Sequence, residues 1–489
     1  MLSLVVYFRD MGWLLLCLLI AVYVAAFLLF KGKKDGASLV LIITCNALLL
    51  AWSSQDQFLH TWDEQFHALV AKNMVDKPFQ PMLYETPLLP YDHENWTANH
   101  IWLHKQPLPL WGIAGSLAIF GNHPWAVRLP SCILILLATY IFWSLSRKWF
   151  GREVGFVASV LFSFNGLIIE LASGRGATDH PDIFFMFFVL LAVFLAQKYA
   201  ESRNLYINIL CGIAIGAAVL CKWLPGLIVM PIWLILTSYG DPKEWRKLAP
   251  SFLLLIATTA LVALPWQVYI HSWFPDEAAW EASMNRRHLT QVIEERGGGL
   301  LYHLWNLGRM LGELVYIPFA MFLYFFGLYR RNKVFQVTLI WAIIPLLFFS
   351  LVQTKMQAYL LFSFPAYFLM IAWSFMWLYH RSKRSKQGKL IIVLASLFLV
   401  LPARLCIERM KIMDHRERKP NYIEQIEDLK RLPRNTVIVD HPQAIQVMFF
   451  TDLVAYDYLP TPEKINDLIE MGYDVVVHDK SSLDERRDY

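Results

Sequence analysis

The sequence predicts an all-α polytopic membrane protein with a small α/β unit at its C-terminal end. Three observations predict it. Of 489 residues, 57% are hydrophobic and 15% aromatic, and only 17% carry charge, well under the roughly 25% of soluble domains. Apolar runs recur between residues 11 and 406, each near the ~20 residues that a bilayer core demands. After about residue 408 these runs stop, and short strand-like and helix-like segments alternate.

Twelve spans are expected, at 11–30, 37–54, 125–145, 154–173, 181–199, 205–221, 224–239, 250–270, 309–328, 335–353, 358–379 and 390–406. The first could pass for a secretion signal. Its apolar run, Met11 to Phe30, is too long for that, and no small-residue cleavage site precedes Lys31, so a retained span is expected. The basic connections around Lys31, Lys33 and Lys34, then Arg147, Lys148 and Arg152, then Lys243, Arg246 and Lys247, then Arg330, Arg331 and Lys333, and then Arg381 to Lys389 all fall on one face if the spans alternate. The excess of Lys and Arg makes that face cytoplasmic, with both termini and the longer loops outside. The net charge of +5 does not point to nucleic acid, because the basic residues cluster in these short loops. Six cysteines, most of them inside apolar runs and none in a CxxC pair, give no disulfide framework and no cysteine metal site.

The longest outer loop, 55–124, opens on Trp62-Asp63-Glu64-Gln65-Phe66-His67. Phe66, Leu69, Val70 and Met74 follow at helical spacing, so the two acids head an amphipathic helix expected to lie along the membrane surface. The acids either form an active site for something embedded in the bilayer or merely complement the helix dipole. Further on, His104-Lys105-Gln106-Pro107-Leu108 opens a second amphipathic segment, with proline near its first turn. A short outer turn carries Arg175 and Asp179, and the outer loop 271–308 carries Arg286 and Arg287. Lys355 ends a later span on the same side.

Beyond residue 408, Asn421–Leu432 reads as a helix, Thr436–Asp440 as a buried strand, Ile445–Thr451 as either, and Leu453–Tyr458 as a strand. Thr461 with Pro462 starts a helix to Met471, and Tyr473–Asp479 is a strand. No glycine fingerprint follows a strand, so nucleotide binding is not expected there. The chain divides on this reading into a transmembrane domain, 1–408, whose first outer loop 55–124 carries the acids, and an extracytoplasmic α/β domain, 409–489.

Lys105, Arg175, Arg286, Arg287 and Lys355 sit on the face where cations are normally scarce. A phosphate or pyrophosphate head group explains them, and so does snorkelling to lipid. Asp63, Glu64 and Asp179 come from separate outer loops. Acids beside cations suit displacement of a phosphate: a carboxylate deprotonates an attacking hydroxyl while the cations hold the departing group. Asp179, just before Pro181, also fits a helix start, and Asp182 is assigned to that role. His100 and His104, four apart, could share a helix face near Asp92 or Glu94, but no complete metal-ligand set is evident. Trp96, Trp102 and Trp111 either stack on sugar rings or anchor the interface.

Together these segments resemble the GT-C glycosyltransferases, and within them the superfamily of protein O-mannosyltransferases and lipid A aminoarabinose transferases. Asp63-Glu64 resembles that family's Asp-Glu motif, and Lys105-Gln106-Pro107-Leu108 its Lys-Pro-Pro-Leu. Gly121 to Pro130, ending Val127-Arg128-Leu129-Pro130, resembles its Arg-Leu-Pro segment, and Arg175 to Phe185 its second acidic loop. Cys221-Lys222 to Gly226 and Ser350 to Phe364 resemble two later motifs, so the likeness covers roughly residues 37–380. The departures are Gln106 for proline, His67 for tyrosine, and His104 where the aminoarabinose transferases have glutamate.

The resemblance implies a monosaccharide donor on a polyprenyl phosphate and an acceptor hydroxyl or phosphate on a protein, glycolipid or glycan. It implies an inverting single displacement on the outer face of a bacterial inner membrane. It implies Asp63 as general base, Asp179 and Glu64 as site-shaping acids, and Lys105, Arg175, Arg287 and Lys355 as holders of the lipid phosphate. No obligatory cofactor is implied, though a divalent cation is compatible with the chemistry. The rival reading is a transporter or flippase of lipid-linked sugars, which should show interrupted helices and charges near the bilayer midplane, often in two related halves. The charges lie at span ends, and no halves are visible. A non-enzymatic assembly or anchoring protein would leave the acid and cation cluster unexplained.

Overall fold

The computed structural model describes residues 2–238, 242–414 and 417–478, with side chains from residue 12 onward except 239–245, 415–416 and those after 478. The chain folds into two compact units. The first comprises Met1–Ser54, Ser131–Trp273 and Glu281–Arg416, and the second Gln55–Pro130, Phe274–Trp280 and Glu417–Tyr489.

Among the described residues, nine helices are long and apolar enough to cross a membrane. Two more of the expected spans are broken. Arg152–Ser163 and Gly166–Ala172 meet at 47°, and Tyr302–Leu311 and Tyr316–Tyr329 at 112°. The first break is capped by Asn165, whose Oδ1 accepts from the Ile168 N–H at 3.1 Å while its Nδ2 donates to the Met310 carbonyl at 2.8 Å. The second turns at Gly312, at φ 104°, where a Cβ would come within 2.9 Å of Pro402. The span expected at 224–239 is instead a 3-10 segment, Leu224–Ile228, followed by the short helix Val229–Thr237. Its described part is too short to cross alone. The loop expected at 271–308 contains a helix, Pro275–Thr290.

Close packing inside the first unit depends on small residues. In Gly212-Ile213-Ala214-Ile215-Gly216, a Cβ on the first glycine would lie 1.8 Å from Thr258 Oγ1, and on the second 2.6 Å from Val262 Cβ. Only hydrogen fits between these two helices, which is the small-residue packing expected where lipid supplies no hydrophobic drive. The buried Asn46 is paired on both sides of its amide: Nδ2 donates to the Ser163 carbonyl at 2.7 Å and Oδ1 accepts from Thr139 at 3.1 Å.

In the second unit, the first outer loop, drawn above within the membrane domain, shares one apolar core with the C-terminal segment. Three parallel strands, β1 (Thr436–Val439), β2 (Val454–Ala455) and β3 (Asp474–Val477), stand in the order β2-β1-β3. Val437 pairs with Val454 and Val475 on its two sides. All four residues of β1 are buried, as a central parallel strand requires. The Ala444–Phe450 helix crosses from β1 to β2, and Pro462–Glu470 from β2 to β3. The segment 445–451, ambiguous in sequence, is therefore mainly helical, and Asp479 lies outside the described residues.

The apolar stripe of the Asp63–Met74 helix is covered by protein. Phe66, Leu69, Val70 and Met74 are buried in this core with Tyr84, Leu110, Ile113, Val447 and Phe449. A helical apolar stripe shows that one face avoids water, without showing whether protein or lipid covers it. The Pro107–Phe120 helix turns Leu110, Ile113 and Leu117 into the same core and leaves Ile119 exposed.

Candidate active site

The two adjacent acids point to different partners. They open the first turn of the Asp63–Met74 helix, where the dipole favours negative charge. Glu64 is fully buried, and so is Arg128. Arg128 Nε and Nη2 donate to the two oxygens of Glu64 at 2.7 and 3.0 Å. Glu64 Oε2 also accepts from the His60 N–H at 2.8 Å. The guanidinium further donates to the carbonyls of Asp56 and Phe58 at 2.6 and 2.7 Å. This two-pronged pair fixes the helix start. The role of Arg128 was not read from the sequence, although an arginine among the first residues of an apolar span demanded a partner.

Asp63 faces Lys105, with Oδ2 and Nζ 3.0 Å apart. The pair has side chains only 10% and 19% exposed. His67, fully buried, and His104 lie close enough to lower the pKa of the same carboxylate. Burial alone would raise the Asp63 pKa, but Lys105, then His67 and His104, outweigh it and hold the carboxyl well below the usual range. Asp63 is thus ionised throughout the physiological range. Its ionisation contributes stability above the unfolded-state pKa, and that contribution is lost only in strong acid, as pH falls through the depressed folded value. A pH prediction follows. In Lys105→Met the leading charge that lowers it is gone, so the Asp63 pKa rises. Turnover of that variant at saturating donor should fall on acidification at a pH where wild type does not. Identical acid limbs in the two proteins would refute the coupling.

Around this pair the loop is packed with rings. Trp96 and His104 stack with centroids 4.5 Å apart and planes at 8°, and Trp102 meets His67 edge-on at 5.8 Å. Trp102 is fully buried, and Trp111 Nε1 donates to the Pro78 carbonyl at 2.7 Å. His100 and His104 do not share a helix face. The chain is extended there, with Met82 bridging Ile101 and the Leu83 N–H donating to the His100 carbonyl at 2.9 Å. His100 Nδ1 lies 2.6 Å from the Tyr84 carbonyl. Among the described residues no three His, Cys, Asp or Glu side chains converge into a metal site.

The remaining predicted residues belong to the first unit. Asp179 is fully buried and starts the Asp179–Ser202 helix, its Oδ1 accepting from the His180 N–H. His180 Nδ1 lies 2.8 Å from Ser131 Oγ. Asp182 is not merely a dipole partner: it binds Lys222, whose ammonium also stands 4.9 Å from the centre of the Tyr359 ring. Both loops that deliver this pair hold a non-glycine residue at positive φ, Thr178 at 64° and Trp223 at 63°. Such backbone strain concentrates at functional sites. Arg175 donates to the Arg409 carbonyl at 3.1 Å, and Arg409 binds Glu170. Arg287 Nε donates to Oε1 of Gln291, just past the end of its helix, at 3.3 Å. Lys355, 4% exposed, turns its ammonium to the Ser350 and Phe349 carbonyls at 2.6 and 3.2 Å, at the end of the Lys333–Leu351 helix. That is a helix-terminal cap as well as a candidate phosphate contact.

Residues 104–269 match the family model described as dolichyl-phosphate-mannose-protein mannosyltransferase. The chain is similar to undecaprenyl phosphate-alpha-4-amino-4-deoxy-L-arabinose arabinosyl transferases. It is 24% identical to one from Pseudomonas fluorescens over 54% of this chain and 49% of that protein. It is 26% identical to one from Proteus mirabilis over 55% of this chain and 49% of that protein. The chain thus spans about half the length of the curated relatives it matches. Its fold is shared with ArnT from Cupriavidus metallidurans bound to undecaprenyl phosphate, at a TM-score of 0.59 and 15% identity, covering 91% of this chain and 90% of the other. It is shared too with the oligosaccharyltransferase AglB from Archaeoglobus fulgidus in complex with an inhibitory peptide and a dolichol-phosphate, at a TM-score of 0.53 and 13% identity, covering 90% and 69%.

Proposed function

We infer that this integral membrane protein, which belongs with the GT-C glycosyltransferases of the protein mannosyltransferase and aminoarabinose transferase type, moves a monosaccharide from a polyprenyl phosphate to an acceptor hydroxyl or phosphate. One observation carries the reading: a buried carboxylate, Asp63, held ionised 3.0 Å from a lysine, Lys105, at a helix start locked by Glu64 and Arg128.

The acceptor oxygen attacks the anomeric carbon from the face opposite the phosphate, and the bond from that carbon to the phosphate oxygen breaks. The phosphate leaves with the electron pair, its charge met by Lys105. The acceptor oxygen becomes strongly acidic as its new bond forms, so even a carboxylate of depressed pKa accepts the proton. Asp63 is that acceptor on this reading. Arg175, Arg287 and Lys355 enter as further phosphate-holding groups, and Asp179 as a site-shaping acid. No obligatory cofactor is needed for this chemistry, and a divalent cation could supplement the lysine. The reading places the reaction outside the cytoplasm, in a bacterial inner membrane.

Purified protein in vesicles with a labelled polyprenyl-phosphate sugar tests it. Transfer should release free polyprenyl phosphate in step with loss of donor. Movement of intact donor across the vesicle without release would establish a flippase instead. Sidedness has its own test. Cysteines placed at Tyr91 and Tyr458 should both react with an impermeant thiol reagent from outside intact cells, and protection of both would reverse the orientation.

A further inference from the structure

The Asp63–Met74 helix and the loop that leads into it are tied to the C-terminal segment, whose role the sequence motifs leave open. At its N-terminal side, Arg418 Nη1 lies 2.9 Å from Asp56 Oδ1, and the Arg418 carbonyl accepts from the Gln57 N–H at 2.8 Å. The Asp56 side chain is fully buried, and its second oxygen lies 3.1 Å from His60 Nε2. The Asp56 carbonyl in turn accepts from Arg128, the partner of Glu64. The Leu59 N–H donates to Gln446 Oε1 at 3.2 Å. At the other end, Lys72 Nζ donates to the Met448 and Thr451 carbonyls at 2.7 and 2.6 Å. These close the Ala444–Phe450 helix, where unpaired carbonyls and the helix dipole attract a cation.

We propose that the C-terminal α/β segment positions the catalytic carboxylate, acting through Arg418 on the loop that leads into the Asp63–Met74 helix and through Lys72 in the helix's last turn. A helix of 12 residues whose leading loop and last turn are both held is restrained from sliding and rotating. Proton transfer needs that, since productive geometry tolerates only about 0.5 Å. Arg418 and Lys72 are positioning residues: neither touches the reacting atoms. The proposal rests on the glycosyltransferase reading for its kinetic arm only.

The test compares Lys72→Met, Lys72→Arg and Arg418→Lys in the full-length protein. Lys72→Met should lower turnover by about 10²-fold, the effect of an ~1 Å misplacement, with KM for the donor within about twofold of wild type. Lys72→Arg, which still donates to the two carbonyls, should restore most of it. Arg418→Lys should fall between. Hydrogen exchange should quicken over residues 63–74 in Lys72→Met and stay unchanged over the Asp179–Ser202 helix. Normal turnover in Lys72→Met, or a loss that Lys72→Arg does not rescue, overturns the proposal. Exchange needs no substrate. If wild type transfers no sugar the enzyme reading falls, while unaltered exchange over 63–74 would still sink the anchoring itself.

Discussion

Asp63→Asn should lower glycosyl transfer by about 10²–10⁴-fold, the range for loss of a general base, while the protein still folds in the membrane. The substitution keeps the shape of the side chain and its place at the helix start, and removes the charge that would accept the proton. It also frees Lys105 from its carboxylate partner, 3.0 Å away. A lysine released from an acid attracts phosphate more strongly, so donor affinity should hold or rise as turnover collapses. That opposite movement separates loss of a base from loss of the fold, which would weaken both. Transfer is measured in purified membranes, alongside binding of a non-reactive polyprenyl phosphate. Wild-type turnover in Asp63→Asn with a dead Asp179→Asn would move the base to Asp179. Normal turnover in both would remove the enzyme reading from these loops.

Much of this was legible in the sequence, because membrane spans and short motifs are local. A run of apolar residues announces its own span, and Asp63-Glu64 and Lys105-Gln106 are visible as pairs. What was not legible is long-range partnership. Nothing near Glu64 says that Arg128, 64 residues on, will bind it in two places. The stripe of Phe66, Leu69, Val70 and Met74 reads equally as a lipid face or a protein face, and the C-terminal segment that covers it lies over 370 residues away. Lys355 stood out as a cation on the wrong side, yet its nearest partners are helix-end carbonyls that any sequence provides. Asp182 looked like an ordinary helix-start acid until the fold brought Lys222 to it.

The second large effect is on stability and falls on Arg128. Its guanidinium and the Glu64 carboxylate are both fully shielded from solvent, so each is tolerable only because the other is there. Arg128→Met strands a buried carboxylate and two carbonyls, those of Asp56 and Phe58, that had accepted its hydrogen bonds. Breaking one side of such a pair costs about 3–5 kcal/mol, a large part of the stability of a typical domain. Arg128→Lys should do little better, since a single ammonium cannot make the two-pronged contact and also reach both carbonyls. The double variant Arg128→Met/Glu64→Gln should recover part of the loss, because no buried charge is then left alone. Thermal unfolding of the purified protein in detergent, read together with proteolysis of the 55–124 loop, measures all three. If Arg128→Met melts like wild type, the pair does not hold the loop. If the double variant is no better than the single, the cost lies in the stranded carbonyls rather than in Glu64.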